Sequence, residues 1–123
     1  MFIVLSPSHP DPMYKQVTDQ IKNAIASGDL KSGDKLPSIR ELTDALKISA
    51  ITIKRAYLDL ESEGFIITRA GLGSFVADID RARLKQEKLS EIRTALKGIL
   101  ATGTKFGINA GDVARLIREI EED

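Results

Sequence analysis

Apolar residues recur with a helical period in the first half of the chain, and glycine or proline interrupts the pattern between segments. Asp11 followed by Pro12 predicts the start of a first helix, because an acid is favoured at the N-cap and proline at the first helical position. Gly28 ends this segment. The apolar positions within it are Tyr14, Val17, Ile21, Ala24 and Ile25. The pattern predicts a helix with one buried face.

Two shorter helices are predicted after a loop over residues 28–37. Ser38 and Glu41 form a capping box at the start of the second helix, where each side chain can satisfy a backbone donor. The apolar face of this helix consists of Ile39, Leu42, Ala45 and Leu46. Ser49 can cap the third helix, and Gly64 ends it. The buried face of the third helix consists of Ile53, Ala56, Tyr57 and Leu60.

A β-hairpin is predicted after the third helix. Residues 65–68 and 74–77 are β-prone, and the connection over residues 69–73 contains two glycines. Three helices followed by a hairpin is the element order of a winged helix-turn-helix. We therefore expect a mainly α fold with a small β-hairpin, in which residues 1–79 form a winged helix-turn-helix DNA-binding domain.

Residues 80–123 are predicted to form a two-helix tail. A long amphipathic helix runs from Asp80 to about Thr102, a connection follows over residues 103–107, and Asn109 with Asp112 caps a last helix. The apolar stripe of the two helices consists of Leu84, Leu89, Ile92, Leu96, Ile99, Leu100, Val113, Leu116, Ile117 and Ile120. Two helices cannot bury this stripe completely against each other, so a second copy of the chain is the simplest partner. The tail is thus predicted to be a dimerisation region.

The alternative for the tail is that its stripe folds back on the winged helix of the same chain. Phe106 and Ile108 in the connection could pack on either partner. In both cases the two helices are too short to enclose a ligand pocket of a few hundred Å³. This argues against a small-molecule effector, but the sequence leaves open whether one exists.

Composition excludes several classes of site and function. The 123 residues include no cysteine and one histidine, His9, so disulfides, thiolate metal sites and multi-histidine metal centres are excluded. No cofactor is expected. The sequence shows no nucleophile paired with a base, so an enzyme is not expected either. The apolar run at residues 1–5 is too short for a signal peptide or a membrane span, which predicts a soluble, cytoplasmic protein without a membrane partner. The role of Phe2–Leu5 is left open between a strand, a contact with a partner subunit and disorder.

Charge supports DNA binding only locally. The chain carries 18 basic and 18 acidic residues, and residues 1–79 hold 9 basic and 10 acidic ones. Acids are nevertheless absent from Ala45–Leu58, which spans the start of the third helix. A major groove lined by phosphates requires such an acid-free face. The candidate DNA-contact residues here are Ser49, Ala50, Ile51, Thr52, Lys54 and Arg55.

Two features extend this candidate surface. Ile51 has no predicted place in the core, and an exposed aliphatic side chain at this end of the helix could pack against a thymine methyl group. Arg69 precedes Gly71 at the hairpin tip, where glycine allows the backbone to approach a groove. Arg69 itself can reach phosphate or the minor groove. The alternatives are an ordinary solvated helix start, or a winged helix used as a protein-interaction module. The outer face of the third helix carries none of the acids expected of such a module.

Residues 28–76 resemble the DNA-binding domain of the GntR family of bacterial transcription regulators. The resemblance is carried by LPSIREL at residues 36–42, by Thr52, by AYLDLESEG at residues 56–64 and by GLGSFV at residues 71–76. PMYKQV at residues 12–17 is also similar to the first helix of the family. The resemblance implies DNA contacts at Ser38, Arg40, Ala50, Thr52, Lys54 and Gly71. For Arg40 the alternative is a surface ion pair with Asp44, four residues later.

The short tail is similar to that of the YtrA-like subfamily, in which it serves dimerisation. This resemblance implies a homodimeric repressor of its own operon, often linked to transporter genes, that binds double-stranded DNA at a pseudo-palindromic operator. The chain departs from frequent family patterns at Ala50, Ile51 and Lys54. Lysine cannot make the bidentate guanine contact that arginine makes. The departures leave the operator sequence open.

Overall fold

The structure, a computed structural model, describes residues 3–123. Within this range the helices are α1 (Met13–Ser27), α2 (Ile39–Leu46), α3 (Ala50–Ser62), α4 (Arg81–Thr104) and α5 (Ala110–Glu122), and the strands are β1 (Ile66–Arg69) and β2 (Gly73–Val76). The predicted fold class, mainly α with a small hairpin after three helices, is confirmed. The chain divides into two compact units, of which the first ends at Arg81 and the second comprises Ala82–Asp123.

The start of α1 differs from the prediction. Asp11 is not its N-cap, because Pro12 takes that position with an extended ψ of 156°. The carbonyl oxygen of Pro12 accepts from the backbone N–H groups of Lys15 and Gln16, each at 3.1 Å. The carboxylate of Asp11 lies one residue too far out for this role and instead lies 3.5 Å from Nζ of Lys15. The predicted end is confirmed, since Gly28 follows the helix with a φ of 90°, a conformation that glycine adopts readily.

The core of the first unit is formed mainly by the facing sides of α1 and α3. The predicted buried positions on these helices are confirmed, except that Tyr14 is only half-buried. Ala45 of α2 was expected on the apolar face but is exposed, because the eight-residue helix buries only Leu42 fully. The connected core cluster consists of Val17, Ile21, Ala24, Ile25, Leu30, Leu36, Leu42, Ile53, Ala56, Tyr57, Leu60, Ile66 and Val76.

The hairpin pairs β1 with β2 in antiparallel register from Ile66 opposite Val76 to Arg69 opposite Gly73. Each strand therefore differs by one residue from the predicted 65–68 and 74–77. A third segment, residues 33–36, lies along β2, and no pattern in the sequence predicts this contact. The N–H of Gly33 donates to Val76, the N–H of Val76 donates to Asp34, and the N–H of Leu36 donates to Ser74, each at 2.9 Å. These bonds hold the loop before α2 against the wing.

The segment before α1 lies along that helix through glutamine side chains. The side-chain amide of Gln20 accepts from the N–H of Val4 at 2.8 Å and donates to its carbonyl at 2.7 Å. The buried amide of Gln16 makes the same two kinds of bond with Ser6, at 2.9 and 3.0 Å. Residues 3–5 form no strand, whereas Phe2 lies outside the described residues. Ile3 and Leu5 pack against the core of the first unit.

The second unit consists of most of α4, a short turn and α5. Gly103 was expected to begin the connection but lies inside the last turn of α4, where it is buried. A Cβ added there would lie 3.3 Å from Cβ of Ile108, so glycine permits a close approach at this point. Gly107, with a φ of 75°, provides the turn instead. The predicted capping box of Asn109 and Asp112 is confirmed.

Candidate nucleic-acid interface

The start of α2 presents Arg40 to solvent. The hydroxyl of Ser38 accepts from the N–H of Glu41 at 3.0 Å, and the Glu41 carboxylate accepts from the N–H of Ser38 at 3.5 Å. The predicted capping box is thereby confirmed, and it fixes the first turn that carries Arg40. No carboxylate within residues 3–123 pairs with Arg40. The alternative ion pair with Asp44 therefore does not form.

The start of α3 is capped by Ser49, as predicted. Its hydroxyl oxygen accepts from the N–H of Thr52 at 3.2 Å, and the two hydroxyl groups lie 2.8 Å apart in a second hydrogen bond. Ile53 anchors this turn in the core, whereas Ile51 is 80% exposed. Because a helix turns by about 100° per residue, Lys54 stands on the same side as Ile51. The first turn of α3 thus shows solvent one aliphatic and one cationic side chain.

These two helix starts enclose one groove of about 430 Å³ between α2 and α3. Arg40 contributes the cation from α2 and Lys54 the cation from α3. None of the lining residues is acidic, and no ion pair within residues 3–123 involves Lys54. The groove is lined by Ile39, Arg40, Thr43, Ala50, Ile51 and Lys54. Such a surface attracts phosphate and also offers apolar contact.

Two of the lining residues, Ile39 and Thr43, were not among the predicted contacts. The hydroxyl of Thr43 donates to the carbonyl of Ile39 at 2.8 Å. The Thr43 hydroxyl proton is therefore already used within α2. Thr43 follows Arg40 by three residues, a spacing that places both on one helix face. This spacing could have identified Thr43 once Arg40 was chosen.

Arg55 was predicted to contact DNA but lies outside the groove lining. Its guanidinium carbon lies 3.7 Å from the centroid of the Tyr14 ring of α1, which is a cation–π stack. Arg55 therefore connects α3 to α1 on a different side of the helix from Lys54. The neighbouring cations of α3 have different surroundings, and this makes them a matched pair for mutagenesis.

The wing holds the other two predicted contacts, Arg69 and Gly71. Gly71 has a φ of 75°, and the N–H of Leu72 donates to the carbonyl of Arg69 at 3.0 Å to close the turn. The guanidinium of Arg69 lies 5.8 Å from the Phe75 ring, and no carboxylate within the described range pairs with it. The hydroxyl of Thr68 donates to Glu61 at 3.1 Å. This bond fastens the wing to α3, although neither Arg69 nor Gly71 lines the groove.

Tyr57 links the scaffold beneath the groove. Its buried hydroxyl donates to the carbonyl of Pro37 at 2.5 Å and so ties α3 to the turn that precedes α2. Burial, and to a smaller extent the charge of Glu41, raises the pKa of the Tyr57 hydroxyl above its ordinary value. The residue holds the two groove-forming helices in place from inside the core.

We expect Tyr57→Phe to lower the free energy of unfolding by about 1 kcal/mol at pH 7, because it removes this bond and leaves the Pro37 carbonyl unpaired. Since the folded state raises the pKa, the stability from Tyr57 is present below the unfolded pKa of about 10 and is lost as the pH rises above it. Urea unfolding of the wild-type protein and of Tyr57→Phe, at pH 7 and above pH 10, measures the difference in their free energies of unfolding at each pH. A difference that stays constant or grows at the higher pH would contradict the assignment.

The second unit leaves its apolar stripe largely uncovered. Gly103 is the single buried residue of Ala82–Asp123. The predicted dimerisation residues Leu84, Leu96, Leu100 and Val113 are half-buried, and the exposed ones are Leu89, Ile92, Ile99, Leu116, Ile117 and Ile120. An open apolar groove of about 590 Å³ lies between the helices, lined by Ala95, Gly98, Ile99, Thr102, Gly103, Phe106, Ile108, Val113 and Leu116. A unit without a buried core needs a further partner for stability.

In the part of the chain that the structure describes, no three acidic or histidine side chains are grouped as metal ligands would be. None of the described helices combines the length and the apolarity that crossing a bilayer requires.

Comparison with known proteins gives consistent matches. The sequence model of the bacterial regulatory proteins of the gntR family matches residues 13–76. The HTH-type transcriptional repressor YtrA of Bacillus subtilis (strain 168) is 32% identical over 121 residues, which cover 98% of this chain and 93% of that protein. The crystal structure of a transcriptional regulator from Oenococcus oeni has a TM-score of 0.76 at 29% identity and covers 97% of this chain and 98% of its own.

A third match is a protein–DNA complex. The crystal structure of the AraR DNA-binding domain with the operator ORX1 has a TM-score of 0.55 at 33% identity. The match covers 60% of this chain and 92% of the AraR chain.

Proposed function

Because the chain belongs to the gntR family of bacterial regulatory proteins, as its motifs predict, we propose that this DNA-binding transcriptional regulator is a homodimeric repressor that binds a pseudo-palindromic operator. The observation that carries the proposal is the groove between α2 and α3, with a cation on each wall and no acid in its lining. The Bacillus relative that matches nearly the whole chain is named a repressor, which supports repression rather than activation of transcription. Members of the family regulate transcription and are not enzymes.

In the proposed complex the start of α3 enters the major groove and the start of α2 lies at its edge. Arg40 and Lys54 contact phosphates or base edges from the two walls of the groove. The capped helix starts at Ser38 and Ser49 turn backbone amides toward phosphate oxygens, and the small Ala50 lets the helix approach closely. Arg69 and Gly71 of the wing contact the backbone or the minor groove. The operator complex of the AraR domain supports this use of the fold.

Within the proposal Thr52 positions the helix start through its bond with the cap rather than binding a base. Arg55 has a similar role, since its guanidinium is stacked on Tyr14. The Arg55 side chain holds α3 against α1, while the neighbouring Lys54 contacts DNA. These assignments make positioning residues of two predicted contacts, Thr52 and Arg55.

We propose that residues 1–79 bind DNA and that residues 80–123 form the dimer. The support for dimerisation is the uncovered apolar stripe of a unit with one buried residue. A second copy is the simplest cover, because a two-fold dimer also brings two recognition helices to one face of a duplex. Regulation of its own operon, a link to transporter genes and a cytoplasmic location are further parts of the proposal.

Selection of bound fragments from random or genomic DNA tests the proposed function. We expect an enriched inverted repeat whose half-site centres lie about one helical turn, roughly 10 base pairs, apart or a multiple of that distance. The motif tests binding and dimer geometry together. Enrichment of no motif, together with failure to bind any duplex at low salt, would favour the protein-interaction module instead.

A further inference from the structure

We propose that Ile51 selects thymine at one base pair of each operator half-site, by packing its side chain against the C5-methyl group in the major groove. This inference rests on the proposed function, because it needs the groove between α2 and α3 to face a duplex. It adds the chemical feature of the operator that the apolar part of this groove recognises.

The position of Ile51 is unusual for an aliphatic side chain of this size. It is 80% exposed, whereas Ile53, two residues later, is completely buried. A single exposed isoleucine is ordinary in itself. This one, however, lines the same groove as Arg40 and Lys54. When the two cations contact phosphates, the aliphatic side chain that shares their groove is brought against base edges.

Charge complementarity indicates the occupant. A groove with two cations and no acid in its lining suits a polyanion. An apolar peptide would desolvate these two charges without compensating either of them, which is costly. The surface therefore fits a nucleic-acid duplex whose base edges include an apolar group.

The hydroxyl groups at the helix start and on the opposite wall already have partners within the protein. The hydroxyls of Ser49 and Thr52 bond each other at 2.8 Å, and the Ser49 oxygen also accepts from the helix backbone. Thr43 on the opposite wall donates its hydroxyl proton to the carbonyl of Ile39. Among the lining residues, Ile51 is the large aliphatic side chain that is exposed.

Thymine is the base that suits an aliphatic contact. In the major groove its C5-methyl group is the one apolar group among the base edges, whereas the other bases offer donors or acceptors. An isoleucine placed over a donor or acceptor would remove water from it without replacing the hydrogen bond. A β-branched side chain in a helix also has one strongly preferred rotamer, so little conformational entropy is lost on contact.

Replacing single thymines of the selected duplex by deoxyuridine tests the inference, because it removes the methyl group and keeps base pairing. With wild-type protein, we expect affinity to fall about fourfold at one position of a half-site, the factor that corresponds to one buried methyl group. Substitution at the equivalent position of both half-sites should lower it about 15-fold. Ile51→Ala should bind the two duplexes equally, and Ile51→Val should keep part of the difference.

Leu58→Ala is the matched control, since Leu58 is a 60% exposed aliphatic residue of the same helix that does not line the groove. It should discriminate like wild type, and circular dichroism checks that all variants fold. Equal wild-type affinity for every deoxyuridine duplex, or discrimination that survives Ile51→Ala, would overturn the inference while operator binding stands. Failure of wild-type protein to bind the thymine duplex would instead overturn the proposed function.

Discussion

Leu96→Asp is expected to convert the proposed dimer into monomers and to lower operator affinity by on the order of 100-fold or more, because the second half-site no longer binds at the effective concentration that linkage provides. Leu96 is a half-buried member of the apolar stripe of α4. A carboxylate placed in a covered apolar face must lose its hydration without a partner. Sedimentation velocity measures the assembly state, and fluorescence anisotropy with an operator duplex measures the affinity.

Two further variants separate assembly from folding. Ile92→Asp changes a residue that is 53% exposed in the chain, so it should prevent dimerisation without disturbing the monomer. Lys97→Asp introduces the same group beside Leu96 at an exposed polar position and should leave the dimer intact. If Leu96→Asp and Ile92→Asp both sediment as wild-type dimers, the stripe does not form the dimer interface.

Arg40→Ala and Lys54→Ala are each expected to weaken operator binding by ~1–3 kcal/mol, equivalent to about 5- to 150-fold in affinity, without changing thermal unfolding. Both side chains are exposed and make no ion pair within residues 3–123, so folding does not depend on them. A contact to phosphate should also reduce the slope of log affinity against log salt by about one.

The matched control is Arg55→Ala, which removes an equal charge from the adjacent position of α3. Because that guanidinium stacks on Tyr14, we expect the salt slope to stay at its wild-type value. Any loss of affinity should follow a loss of stability, since the stack connects α3 to α1. Unchanged operator affinity in Arg40→Ala and Lys54→Ala, or a salt slope that falls only in Arg55→Ala, would contradict the assignment.

Local rules predicted the helix starts well where a side chain satisfies a nearby amide. The capping boxes at Ser38 and Asn109, and the cap at Ser49, form as expected because each bond spans three residues. The same rule failed at Asp11. Pro12 has an extended ψ there and occupies the N-cap position without a side-chain cap, so the carboxylate of Asp11 lies one residue too far from the helix amides.

Contacts between distant residues account for the other differences. Gly103 matched the rule that glycine ends a helix, yet it lies in the last turn of α4 so that Ile108 can approach it. The bonds of residues 33–36 to β2 join segments about 40 residues apart, and no local pattern indicates them. Lys54 and Arg55 are adjacent cations of α3, so charge alone does not distinguish their roles. The stacking of Arg55 on the Tyr14 ring distinguishes them.

The location of the DNA-binding surface is tested most directly by amide chemical shifts of the full-length, isotope-labelled protein during titration with its selected operator duplex. We predict that the largest changes fall at residues 38–40 and 49–54, with further changes at residues 69–73 of the wing and smaller ones at the α1 surface near Tyr14. Saturable changes confined to α1 or to residues 82–123, with none at Arg40 or Lys54, would contradict the account.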